Sequence, residues 1–298
     1  MGARAPSQGR FDVYGAITDK IVAAIEKGAG DFVMPWHREG PALGRPVNAF
    51  TRKPYQGVNV VALWAEAVTA GYTSGWWATY RQWQSLGAQV RRGEHGTVIV
   101  FYRRLNTAPA EDADEADEPR LVARASRVFS QNQVDGWNEP VTIVAPLAEA
   151  IDKAEAFVSG SGATVRHGGL EACYRRDLDL IQMPMRERFV GSPTSSSSES
   201  YYATLLHELT HWTGAAHRLG REFGKRFGDE AYAVEELVAE LGAAFLCAQL
   251  QIANEPRADH AAYVAHWLRV LKDDRRAIFV AASKAKEAVE YLTTLPAI

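Results

Sequence analysis

The chain has 298 residues, 47% of them hydrophobic, with two cysteines and a net charge of −3. That length supports two ordinary cores rather than one large one, two thiols frame neither a disulfide scaffold nor a zinc knuckle, and no apolar run is long enough to span a bilayer. With no charged-then-apolar leader at its start, the sequence is expected to belong to a cytoplasmic protein with no membrane partner.

The charge is uneven: residues 1–105 sum to +6, residues 106–119 hold six acids and no base, and residues 120–298 sum to −3. Residues 11–28 have helical periodicity ended by Gly28-Ala-Gly30, and 58–70 and 77–86 read as two shorter helices. Residues 87–96 are turn-rich, and 97–102, β-branched and aromatic, predict a strand. The acidic stretch of about 106–119 reads as a disordered loop. Residues 120–130 return as a strand able to pair with 97–105 across it, so a first domain spans 1–136 and closes near Gly136.

Five of the eight tryptophans fall in this basic first third: Trp36, Trp64, Trp76, Trp77 and Trp83. The runs Trp76-Trp77-Ala-Thr-Tyr80-Arg81-Gln-Trp83 and Phe101-Tyr102-Arg103-Arg104 interleave rings with guanidinium groups. Unpaired bases stack on such rings while arginines track phosphates. Positions 76, 80 and 83 also fit one face of a helix, where the rings would simply be core, and composition leaves both readings open.

A second domain, 145–298, opens with a helix at 147–159 and short strands at 163–166, 172–176 and 179–183. The stretch 178–183 is placed as an edge strand against which an extended peptide can pair. A polar linker, 191–200, ends at Ser200, which can cap a helix over 200–213. Helices follow at 231–250, 259–272 and 274–295, and no internal repeat is visible.

The helix at 200–213 contains His207-Glu208-Leu209-Thr210-His211. Histidines at i and i+4 project from one face, so both imidazoles can grip one ion. Glu208, one residue along, is placed to take a proton from a water that the ion activates, which makes it the candidate general base. Two sequence features compete to supply the third ligand. His217, with Gly214, completes the longer metzincin spelling, but metzincins need a methionine turn downstream, and Met1, Met34, Met183 and Met185 all precede the motif. Alternatively Glu236 ligates while Glu240, four residues on and on the same face, orients a ligand histidine in gluzincin fashion; Glu235 or Glu240 as the ligand are further choices. The cofactor expected is one divalent metal, zinc, with manganese as the other choice. The fold class is α+β: a small N-terminal α/β domain followed by a mostly helical zincin-like domain with a small sheet.

Several runs taken together resemble the ArdC antirestriction proteins of conjugative plasmids. They are Asp12-Val-Tyr with Ile17-Thr-Asp, Lys53-Pro-Tyr-Gln-Gly-Val-Asn59, the stretch from Leu86 to Phe101, Arg127-Val-Phe129, and Tyr201 to Gly214 followed by Arg218-Leu219. The resemblance spans nearly the whole chain. It implies an N-terminal single-stranded-DNA-binding domain joined to a C-terminal metallopeptidase-like domain that protects incoming plasmid DNA from host restriction. On that basis the DNA-contacting candidates are Trp76, Trp77, Arg81, Arg91, Arg92 and Arg103, about half of which are expected to be structural. The expected partners are single-stranded DNA and a protein substrate or a component of the restriction system. Two other readings remain: a plain cytosolic metallopeptidase whose N-terminal domain binds its protein substrate, and a DNA-coating protein whose metal site does no chemistry.

Overall fold

The computed structural model describes residues 11–28, 34, 36–37, 44–104, 121–140, 146–192, 195–222, 230–254 and 260–295. Helix α1 (Val13–Gly28) buries Ile17, Ile21 and Ile25 on one stripe, the amphipathic pattern its periodicity predicts. β1 (Val47–Asn48) leads to α2 (Val58–Ala70), which stops at Gly71, whose φ of 69° suits a residue without Cβ and whose N–H returns to Ala67.

Residues 77–86 are not one helix, as their pattern suggested. They form β2 (Trp76–Ala78) and then α3 (Tyr80–Ser85), because Thr79 and Gln82 make a reciprocal capping box that starts the helix three residues late. The freed residues pair with neighbours on both sides, Trp76 and Trp77 parallel to Val47 and Asn48, and Trp77 and Ala78 antiparallel to Ser130 and Phe129.

β3 (Gln89–Val90), β4 (Thr97–Arg104), β5 (Leu121–Ser130) and β6 (Val134–Asp135) complete this half. β4 and β5 run antiparallel from the Thr97–Val128 pair to the Arg104–Leu121 pair, as expected of strands joined across the acidic stretch, which itself lies outside the described residues. The four-stranded sheet has the order β1-β2-β5-β4, and β3 pairs with β6 in a separate ladder.

After α4 (Leu147–Gly160), β7 (Thr164–His167), β8 (Cys173–Arg175) and β9 (Leu180–Met183) form a three-stranded sheet in the order β7-β9-β8. β9 is therefore central, not the edge expected of residues 178–183. Its Leu180, Ile181 and Met183 are all buried, the near-continuous apolar run of a strand covered on both faces; β7 and β8 are the two edges.

α5 (Ser197–Thr213) is capped by Ser196, not by Ser200. Ser196 and Glu199 form the capping box, and the Ser200 N–H already bonds to the Ser196 carbonyl inside the helix. α6 (Glu230–Leu250), α7 (His260–Asp273) and α8 (Ala277–Thr294) follow. α5 and α6 lie so close that a Cβ on Gly242 would come 2.5 Å from Thr210 Cγ2. That contact requires glycine, and it brings together the two helices that carry the site.

The main core does not stop at the boundary between the halves. Residues of α1 and α2 share one buried cluster with residues of α5, α6, α7 and α8. Tyr14 of α1 tilts onto Phe279 of α8 with ring centroids 4.7 Å apart, and Trp64 of α2 onto Phe245 of α6 at 5.8 Å. No helix among the described residues is long and apolar enough to cross a membrane.

Candidate metal centre and nucleic-acid face

The helical spacing of the motif does what geometry requires: the His207 and His211 rings lie 4.8 Å apart, nearly perpendicular, on the face of α5 that meets α6. Between them stands Glu236, its Oε2 3.5 Å from His207 Nε2 and its Oε1 3.5 Å from His211 Nε2. Each of the three side chains offers a ligand atom, all within 4.8 Å of one another, and all three residues are buried. Two donors on one tetrahedral ion, each about 2.0–2.1 Å from it, stand about 3.3–3.4 Å apart, whereas a direct hydrogen bond would draw them to about 2.7–3.2 Å. The two 3.5 Å separations, one to each oxygen of Glu236, are wider than a hydrogen bond and leave room for an ion among the three side chains. Chemistry agrees, because two imidazoles and a carboxylate suit a borderline divalent cation.

Charge at the site points the same way. Burial alone would lower the basicity of the His211 imidazole, but the Glu236 carboxylate and the hydrogen bond to Glu235 outweigh it and raise it well above the ordinary histidine value. For Glu236, burial opposes ionisation, and the facing His211 and His207 overcome it and hold the carboxyl below its usual range. A pocket that favours a proton so strongly between these groups favours a cation there.

Each histidine has a carboxylate behind it. His207 Nδ1 faces Glu240 Oε2 at 3.5 Å. His211 Nδ1 is 3.1 Å from Glu235 Oε1, and Arg221 grips Glu235 with both arms of its guanidinium. Glu235 thus orients a histidine; the sequence had offered it only as an alternative ligand, and Arg221 carried no local signal at all.

Glu208 is outside the three-residue cluster and lines the same cleft, of about 230 Å³, with His207, His211, Glu236, Tyr232, Tyr263 and Cys173. Its Oε2 accepts the Tyr174 N–H at 2.9 Å, so edge strand β8 runs directly along the cleft. His217 stands elsewhere: it is 64% exposed, 3.3 Å from Asp179, and accepts a hydrogen bond from Arg218 at 2.7 Å. Arg218 is the anchor of that group, bonding to Asp179 and Tyr174 Oη and lying over the Trp212 ring.

In the N-terminal half the aromatic candidates separate. Trp77 is 1% exposed and packed among Leu63, Ala67, Ile99 and Val128. This corrects its place among the DNA-contacting candidates, since a ring with no free face cannot stack on a base; strand pairing on both sides turns it inward. Trp76 is half-buried, edge-on to Trp137 at 5.8 Å, and the Arg52 guanidinium lies 5.0 Å from its centroid and 5.9 Å from that of Trp137. Arg52 holds an uncommon left-handed φ of 60°. Tyr80, Arg91, Arg92 and Phe129 line an open groove of about 550 Å³. Arg91 is tied to Glu94 at 3.0 Å and Asp135 at 3.4 Å, which offsets its charge, while Arg81 and Arg92 are exposed. Arg103 pairs with Val122 in β4, and its side chain lies outside the described residues. The sequence pattern did not single out Arg52 or Trp137, and it marked Phe129 only as part of the run Arg127-Val-Phe129.

A triad able to hold a metal, shared between the motif helix and the next, lies beside a small sheet whose edge lines the cleft, and residues 152–284 match the zincin-like metallopeptidase family. Residues 11–134 match the N-terminal domain of the anti-restriction factor ArdC. Antirestriction protein ArdC of plasmid R388 is similar along its length: its metal-free crystal structure has a TM-score of 0.74 at 37% identity, covering 95% of this chain and 97% of that one, and its Mn(II)-bound structure 0.73 at 36%. The chain belongs to the ArdC antirestriction family. Protein y4eC of Sinorhizobium fredii, itself uncharacterized, is 47% identical over 94% of this chain and 91% of its own length. DNA primase TraC of Escherichia coli is 34% identical over 93% of this chain, which spans only 26% of the primase.

Proposed function

We propose that the chain is an antirestriction protein that binds single-stranded DNA through its N-terminal half and hydrolyses peptide bonds at a divalent-metal centre held by His207, His211 and Glu236. The observation that carries the reading is the cage of three ligand atoms within 4.8 Å, with Glu208 beside it but outside it. A bound ion would supply Lewis acidity, which lowers the pKa of a water at the site. Glu208 takes that water's proton, and the Tyr174 N–H on Oε2 leaves its other oxygen free to do so. β8 presents the edge along which an extended substrate pairs. Metal content of purified variants tests the centre: Glu236→Ala and His207→Ala lose the ion and His217→Ala keeps it. A Glu236→Ala protein that retains a full equivalent rules the assignment out.

Support for the nucleic-acid half is the family match over 11–134 together with the exposed Arg52, Tyr80, Arg81 and Arg92 and the half-buried rings of Trp76 and Phe129. Such a face prefers single strands over duplex, and its affinity falls with salt at a log–log slope of about 0.7 per phosphate contact. Fluorescence anisotropy with labelled oligonucleotides, with and without chelator, makes the comparison. Equal affinity for duplex and single strand returns weight to a peptidase whose N-terminal half binds protein.

A further inference from the structure

The metal centre's outer wall is built by the N-terminal half. Glu240 is 2% exposed, and its Oε1 receives two N–H groups from a segment some two hundred residues away: Trp36 Nε1 at 3.1 Å and His37 Nε2 at 2.9 Å. The direction of the second bond is fixed, because the Met34 N–H donates to His37 Nδ1 at 2.9 Å, so the ring's own proton resides on Nε2 and points at Glu240. With Oε1 held twice over, Oε2 is turned toward His207 Nδ1. That nitrogen is buried and has no hydrogen bond at the 3.5 Å separation observed, so a small rotation of the ring is enough to close a bond to Glu240. Closing it places the proton on Nδ1 and the lone pair on Nε2, the atom that faces Glu236.

Trp36 is itself clamped. Its ring tilts against Trp267 of α7 with centroids 6.2 Å apart, and its carbonyl accepts the Asn254 side-chain N–H at 3.3 Å. A tryptophan, a histidine and a carboxylate, each nearly inaccessible to water, form a polar relay inside an apolar core, where an unsatisfied group is costly. Ordinary core packing does not call for an indole N–H and an imidazole N–H on one carboxylate oxygen.

We propose that Trp36 and His37 are positioning residues of the metal centre, acting through Glu240 to set the tautomer and orientation of His207, so that the ion is held by both halves of the chain. This rests on the assignment of His207, His211 and Glu236 as ligands. Loss of an outer partner of a ligand histidine costs about 10- to 100-fold in metal affinity.

The test uses the full chain and Mn(II) or Zn(II) in competition with a chromophoric chelator. His37→Leu and Trp36→Phe are expected to bind either ion about 10- to 100-fold more weakly than the parent, whereas His37→Gln, whose amide can still donate to Glu240, recovers most of the loss. Co(II) absorption supplies a second readout: its ligand-field bands shift in His37→Leu and return in His37→Gln, which a loss of packing alone does not produce. Parental affinity in both His37→Leu and Trp36→Phe overturns the proposal. So does an equal loss in His37→Gln and His37→Leu with unchanged Co(II) bands, which would assign the effect to stability. If the parent binds no metal, it is the ligand assignment that fails, and the two failures are told apart by the parent's own titration.

Discussion

Arg221 meets Glu235 in a buried, two-pronged ion pair, Nε to Oε2 at 3.0 Å and Nη2 to Oε1 at 2.9 Å. Both side chains are almost wholly inaccessible to solvent. The same Oε1 reaches His211 Nδ1, so the guanidinium sets the carboxylate and the carboxylate sets the His211 ring. Arg221 also bonds to Thr213 Oγ1 and the Thr210 carbonyl at the end of α5.

Arg221→Lys keeps the charge and loses the fork. Metal affinity is expected to fall about 10- to 100-fold. Arg221→Ala, which strands a buried carboxylate, is expected to lose about 3–5 kcal/mol of stability as well. Chelator competition and denaturant melts measure the two effects separately. An Arg221→Lys protein with parental affinity would show that His211 needs no support from this side.

Glu208→Gln retains the oxygen that accepts the Tyr174 N–H and removes the base. The variant is expected to fold and load metal like the parent while any peptidase activity drops by several orders of magnitude. A peptide-library digestion by parent and variant decides it, and equal cleavage by both would take Glu208 out of the chemistry.

Gly242→Ala drives a Cβ into Thr210 at the crossing of α5 and α6. Overpacking of this kind costs about 1–3 kcal/mol. Because His211 follows Thr210 and Glu240 lies half a turn from Gly242, metal affinity is expected to fall with stability. Thr210→Ala in the same chain relieves the clash; if the double variant is no better than Gly242→Ala alone, the contact is not the cause.

Asp179 carries a pH signature. The Arg218 hydrogen bond holds its carboxyl at about 2, against an ordinary value of 3.8. A carboxyl whose folded-state pKa is depressed stabilises the fold above its unfolded value, so this contribution is complete above about pH 4 and fades as the pH falls toward 2. The side chain is 42% exposed, so solvent screens much of the effect. Melting temperatures taken from pH 5 to pH 2 are expected to fall less steeply for Asp179→Asn than for the parent; parallel curves would mean that Arg218 gains nothing from the charge.

What was legible in the sequence was whatever repeats with the period of its own element. The i, i+4 histidines and the Glu236 and Glu240 pair each declare one helix face, and the structure turns the two faces toward each other. Glu235 was harder to read, because it reaches His211 from the flank of α6 and depends on Arg221, which lies in a loop without periodicity. Trp36 and His37 reach Glu240 across 204 and 203 positions, a separation at which no local pattern exists. Trp77 was misread because a three-residue strand is too short to show alternation, and its burial is decided by partners at 47–48 and 129–130.

The shared core also constrains heredity. A gene rearrangement that carried off either half alone would leave Ile17, Ile21 and Trp64, or Phe245 and Phe279, facing water, and the sheared product would be a substrate for quality control before it was a protein with half a function. Recombination can move this unit between replicons or graft it onto a larger polypeptide only if the crossovers fall outside both α1 and α8. The smallest heritable piece is therefore the pair, and its two halves are selected together wherever the gene goes.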